Sequence, residues 1–138
     1  MKKLILASAI LAAFVGNVAH AAEAAPEHAV AYNVGAVSDY RFRGISQSRL
    51  QPAVYAGVDY THNPSGLYLG AWTSTIKWVK DLGGDGSYEV DIYGGKRGEV
   101  SAVAYDLGVI HYAYPGNKLG SVAGFADANT TEVYLQLG

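Results

Sequence analysis

The chain has 138 residues with 10 Lys+Arg against 12 Asp+Glu, which leaves room for one domain and excludes a multidomain enzyme. A formal net charge of -2 with no basic stripe removes the electrostatic footprint of a nucleic-acid binder, so nucleic acid is not an expected partner. With no Cys and only His20, His28, His62 and His111 scattered along the chain, the sequence offers no disulfide framework and no close metal-ligand spacing, and no metal or cofactor is expected.

Lys2 and Lys3, the apolar run from Leu4 to Gly16 and the small-residue site Ala19-His20-Ala21 read as a secretory signal, with cleavage expected after Ala21. The run is about 13 residues, short of the roughly 20 that a spanning helix needs. Residues 1–21 are therefore assigned to a signal peptide, 22–28 to a linker and 29–138 to one domain.

Past the linker, Tyr, Val, Thr and Gly recur with a period near two, and strands are expected at 29–40, 53–62, 67–78, 87–97, 102–114 and from Thr130 onward. Each is about 9 to 13 residues, close to what a tilted strand needs to cross a bilayer. The connections alternate in length. Asn63-Pro64-Ser65-Gly66 and Gly98-Glu99-Val100-Ser101 read as tight turns, whereas 41–52, 79–86 and 115–129 are long. Short turns at one end and long loops at the other are the pattern of an outer-membrane barrel, with the turns in the periplasm. The predicted fold is thus all-β, an antiparallel up-and-down outer-membrane β-barrel. Its six strands make it open or incomplete, and it follows an N-terminal signal helix.

Alternation gives the facing. In the fourth strand Tyr88, Val90 and Ile92 oppose Glu89, Asp91, Tyr93 and Arg97. Val103, Tyr105, Leu107 and Val109 oppose Asp106 in the fifth, and Val133, Leu135 and Leu137 oppose Glu132, Tyr134 and Gln136 in the sixth. The second sets Val54, Ala56, Val58 and Tyr60 against Asp59 and Thr61. In the third, Tyr68, Trp72, Ile76 and Trp78 are assigned to lipid and Thr73, Thr75 and Lys77 to the interior, with Ser74 out of place. A mean hydropathy of +0.08 is compatible with this, because alternating lipid-facing and lumen-facing residues average to near neutral. Tyr40, Trp78, Tyr88, Tyr112 and Tyr114 are expected to form an outer aromatic girdle, and Tyr32, Tyr60, Tyr68 and Tyr105 a periplasmic one.

The run Ser38-Asp39-Tyr40-Arg41-Phe42-Arg43-Gly44-Ile45-Ser46-Gln47-Ser48 resembles the TorF-family porins, also known as the Gcw_chp outer-membrane proteins of proteobacteria. The resemblance continues through Gly57-Val58-Asp59-Tyr60, Ser65-Gly66-Leu67-Tyr68-Leu69-Gly70, Tyr105-Asp106-Leu107-Gly108-Val109 and Asn129-Thr130-Thr131-Glu132-Val133-Tyr134. It implies a β-barrel of the outer membrane of a Gram-negative bacterium, exported through the periplasm and acting as a porin for small polar solutes or ions. It carries over no catalytic residue. Family members look longer, so a C-terminally truncated barrel is expected. Six strands fall below the eight of the smallest single-chain barrel, and a chain ending at Gly138 would need a homo-oligomer to close.

The expected lumen lining is Asp59, Lys77, Glu89, Asp91, Arg97, Asp106 and Glu132, acidic in balance and therefore suited to cations, unless the charges are solvated or paired internally. Arg41, Arg43 and Arg49 in the first long loop have three readings: a constriction opposing the acidic wall, a contact to lipopolysaccharide phosphates, or structural pairing with Asp39 and its neighbours. Outer-membrane lipids are the other expected partner. Gly120-Ser121-Val122-Ala123-Gly124 is not a nucleophile elbow, and His111 alone does not make a catalytic set, so no enzyme is expected. Three alternatives stand beside the porin: a non-conducting barrel with a structural or surface-interaction role, a lipid-modifying barrel, and a lipocalin-like carrier whose interior would be apolar.

Overall fold

A computed structural model describes residues 25–138. The expected signal peptide, its expected cleavage at Ala21 and the first part of the expected linker lie outside the described residues. Strands β1 (His28–Val37), β4 (Ala53–His62), β5 (Leu67–Thr75), β6 (Tyr88–Val100), β7 (Val103–Ala113) and β8 (Thr130–Leu137) form one antiparallel sheet in the order β1-β4-β5-β6-β7-β8. Two short strands, β2 (Arg41–Phe42) and β3 (Ile45–Ser46), pair separately inside the first long loop. The fold is all-β, and among the described residues β1 and β8 remain edges, so the sheet they form is not a closed barrel.

The segregation of connections is as the turn residues require. At one end β4 and β5 are joined through residues 63–66, where the amide N–H groups of Ser65 and Gly66 donate to the His62 carbonyl at 3.2 and 3.0 Å. At the same end β6 and β7 close on a two-residue turn, because Val100 pairs with Val103 and Ser101 takes φ 58°. The three long loops gather at the other end.

The third strand is shorter than its composition suggests, ending at Thr75 instead of Trp78. The amide N–H groups of Lys77 and Trp78 donate to the Gln47 carbonyl, which draws the chain out of the ladder and into the one-turn helix α1 (Trp78–Asp81). Ile76, Val79 and Leu119 are buried there, so much of the fold's small apolar core lies among the long loops. The sheet itself keeps its apolar side chains exposed: Val34 at 83%, Val133 at 77% and Leu69 at 58%.

Register fixes which residues share a face, since directly paired residues point the same way. Asp59 pairs with Gly70 and Gly70 with Tyr93, which puts Tyr68, Trp72 and Ser74 on the face of the carboxylates and Thr73 and Thr75 on the apolar face. The third strand is therefore turned over relative to the expectation from its sequence, and Ser74, 2% exposed, is no exception. The girdles are corrected with it. Tyr40, Tyr68 and Tyr112 turn to the polar face, Trp78 packs edge-on against Tyr114 at 5.1 Å among the loops, and Tyr32, Tyr60, Tyr88 and Tyr105 stay on the apolar face.

Candidate functional site

The polar face of the sheet is a net of tyrosines braced against carboxylates. Tyr93 on β6 reaches over β5 and donates to Asp59 on β4 at 2.6 Å. Tyr68 on β5 reaches over β6 and donates to Asp106 on β7 at 2.6 Å, and its hydroxyl also meets that of Tyr134 on β8. Each ring lies flat across an intervening strand, which is sterically open only because Gly70 sits beneath Tyr93 and Gly95 beneath Tyr68. A side chain at Gly70 would occupy the place of the Tyr93 ring and one at Gly95 that of the Tyr68 hydroxyl, so glycines that weaken a strand elsewhere serve here as seats for tyrosines.

The first loop crosses the mouth of this face. Phe42 and Ile45 pair across Arg43-Gly44, whose φ values of 47° and 85° make the turn a primed one, matched to the twist of a two-residue hairpin. The hairpin then contacts the far strands. Phe42 packs against Tyr112 of β7 at 5.6 Å, and the Arg43 guanidinium donates to Glu132 of β8 at 2.7 Å. Just before it, the Tyr40 hydroxyl donates to Glu89 of β6 at 2.6 Å while its ring packs on Trp72. Burial first and then the Glu89 hydrogen bond push the Tyr40 hydroxyl far above its ordinary pKa, so it stays a donor. Burial and the charge of Glu89 do the same to Tyr114.

Six of the seven expected lining residues share the polar face. Asp59 is held by Tyr93, Glu89 by Tyr40, Glu132 by Arg43, and Asp106 by Tyr68 and by Arg97, whose Nε lies 2.9 Å away. Asp91 is buried beside Glu89 on the same face, and its Oδ1 has no hydrogen-bond partner among the described residues. Lys77 is the correction. It sits past the end of β5 at the cap of α1 and shares a surface groove with Arg49, Thr75 and Lys80, because the strand stops before reaching it and is turned over. Arg43 takes its place as the second cation facing the acidic wall.

The three loop arginines separate. Arg43 reaches over the polar face to Glu132 of β8. Arg41 lies 2.6 Å from Asp39 and donates to the Gly44 carbonyl, which holds the first loop together, and Arg49 pairs with Asp81 of α1, which ties that loop to the next. Asp39 also accepts from Ser46 at 2.5 Å and from Ser48 at 3.2 Å. The Ser46 bond is the largest cause holding the Asp39 carboxyl below its ordinary range, with Ser48 and the Arg41 charge adding to it against burial.

A second cluster, invisible in the spacing of histidines, lies at the turn end. His28 and His62 pair directly across β1 and β4, with ring centroids 5.0 Å apart, and both face Glu27.

Residues 21–138 match the model of a family described as a bacterial protein of unknown function, Gcw_chp. The chain matches no curated protein and no solved structure.

Proposed function

The chain belongs to the Gcw_chp family of bacterial proteins, and from that premise we propose that it forms the wall of an outer-membrane β-barrel acting as a porin, through which small polar solutes or ions diffuse passively. The observation that carries this reading is the inversion of burial. Glu89 and Asp91 are 2% and 6% exposed, whereas Val30, Tyr32, Val34, Leu69, Val133 and Leu135 stand more than half exposed. A water-soluble carrier would place these the other way round, and an apolar outer band is stable against lipid chains. The resemblance to TorF-family porins supports the same assignment.

In lipid the backbone groups along β1 and β8 need partners, so the proposal includes further strands pairing on both edges. The mechanism asks no residue to make or break a bond. The acidic wall supplies a wet path, and the hairpin anchored by Arg43 sets its width. Outer-membrane lipids and lipopolysaccharide are its partners, and the route there is export through the periplasm.

One observation favours a second reading, a non-conducting barrel: Asp59, Glu89, Asp106 and Glu132 already have internal partners and the hairpin lies across the mouth. Fractionation followed by planar-bilayer recording separates these. Recovery from the outer-membrane fraction with discrete channel steps supports the porin, recovery there without steps replaces it by the second reading, and recovery in the soluble periplasmic fraction rejects both. The intact mass of the extracted protein reports whether the closing strands belong to the same chain.

A further inference from the structure

We propose that Glu27, His28 and His62 bind one divalent transition-metal ion of the zinc class at the turn end of the sheet. The ligand atoms of the three side chains all lie within 4.8 Å of one another. The Nε2 atoms of His28 and His62 are 3.6 and 3.4 Å from Oε1 of Glu27. Tetrahedral zinc with bonds of 2.0–2.1 Å places neighbouring ligand atoms about 3.3 Å apart, so the two measured edges are those of a site that tightens slightly around its ion.

The surroundings orient both rings for this. Nδ1 of His28 is 2.8 Å from the Tyr60 hydroxyl, and Nδ1 of His62 is 2.7 Å from the Ser65 hydroxyl. An Nδ1–H donating to each hydroxyl leaves Nε2 as the lone-pair nitrogen, and both lone pairs then converge on one carboxylate oxygen. A cation between them turns that opposition into coordination. The backbone that carries Glu27 is held in place: the Asn63 amide N–H donates to the Glu27 main-chain carbonyl at 2.9 Å and its side-chain amide to the Pro26 carbonyl at 2.6 Å. The segment before β1 is thus clamped to the tight turn after β4. Two imidazoles and one carboxylate suit zinc, copper or nickel over magnesium or calcium. Glu27 and His28 are exposed, which leaves the remaining coordination positions to water and makes the ion exchangeable. None of this uses the channel.

The test is calorimetric titration of the untagged protein, folded in detergent micelles, with Zn²⁺ alone. One saturable equivalent is expected, with His28→Ala, His62→Ala and Glu27→Gln each weakening it about tenfold or more, Tyr60→Phe weakening it about tenfold, and His111→Ala leaving it unchanged. X-ray absorption of the loaded wild-type protein should show two imidazole nitrogens at the zinc, a readout that no variant's folding can disturb. Absence of a saturable equivalent, equal affinity in His62→Ala with its β-sheet circular dichroism retained, or a zinc shell without two imidazoles overturns the proposal.

Discussion

Tyr68 and Asp106 belong to strands that are not neighbours, yet the hydroxyl of one donates to the carboxylate of the other at 2.6 Å across the backbone of β6. The bond ties three strands into one curved wall, and Gly95 is the point over which it passes. Arg97 completes the set, bonded to Asp106 and lying 4.2 Å over the Tyr68 ring.

Tyr68→Phe therefore isolates the hydroxyl, since the ring, its seat and its contact with Arg97 all remain. The loss is expected to be about 1.5–3 kcal/mol, the range of a hydrogen bond to a charged group, read from urea unfolding of the folded protein in bilayers. Gly95→Val is expected to cost more than the hydroxyl alone, because the new side chain meets the Tyr68 hydroxyl and the backbone of Leu107 and Gly108 at once. Equal stability of Gly95→Val and wild type would show that the ring does not need its seat.

The Arg43–Glu132 pair behaves differently, because the arginine is 66% exposed and its partner 32%. Breaking it with Arg43→Ala is expected to change stability by less than about 1 kcal/mol. Its effect should appear in conduction. With the hairpin untethered from β8, single-channel conductance is expected to rise, whereas Arg41→Ala, whose partners Asp39 and Gly44 are within the loop, should raise it less.

Acid should loosen the same loop through Asp39. Its carboxyl is held below the ordinary value in the folded protein, so its contribution is present above the unfolded pKa of about 3.9 and is lost as pH falls through the lower folded value. Loop order, followed by proteolysis within 41–52, is expected to fall steeply only below pH 4 in the wild type. Asp39→Asn should flatten that acid-side step, and an unaltered step in the variant would assign it to another group.

The strands and turns were legible because a two-residue period and Asn-Pro-Ser-Gly punctuation are local properties of a chain. The facing of the third strand was not. Tyr68 and Trp72 read as lipid-facing by type, and Thr73 and Thr75 as lumen-facing, yet the pairing of Asp59 with Gly70 reverses both. Period alone states that two faces exist, and register states which is which. The hairpin at Arg43-Gly44 carried a usable signal, a glycine at a two-residue turn between Phe42 and Ile45. The convergence of His28 and His62 carried none, because only the β1–β4 register brings them opposite each other.

Ion preference follows from what faces the wall. Asp59, Glu89, Asp106 and Glu132 stand against Arg97 and Arg43, an acidic excess that survives the removal of Lys77 from the lining. A ring of carboxylates attracts cations and repels anions, even when tyrosine hydroxyls occupy some lone pairs, because a neutral donor leaves the charge in place. Reversal potentials in a potassium chloride gradient should therefore show cation preference. Asp59→Asn keeps an acceptor for Tyr93 while deleting one charge, so it should move the reversal potential toward zero with the fold intact. Glu132→Gln should move it at least as far, since it deletes one charge and leaves that of Arg43 unmatched. Anion preference in the wild type would mean that the internal pairs have left the loops, not the wall, to select the ion.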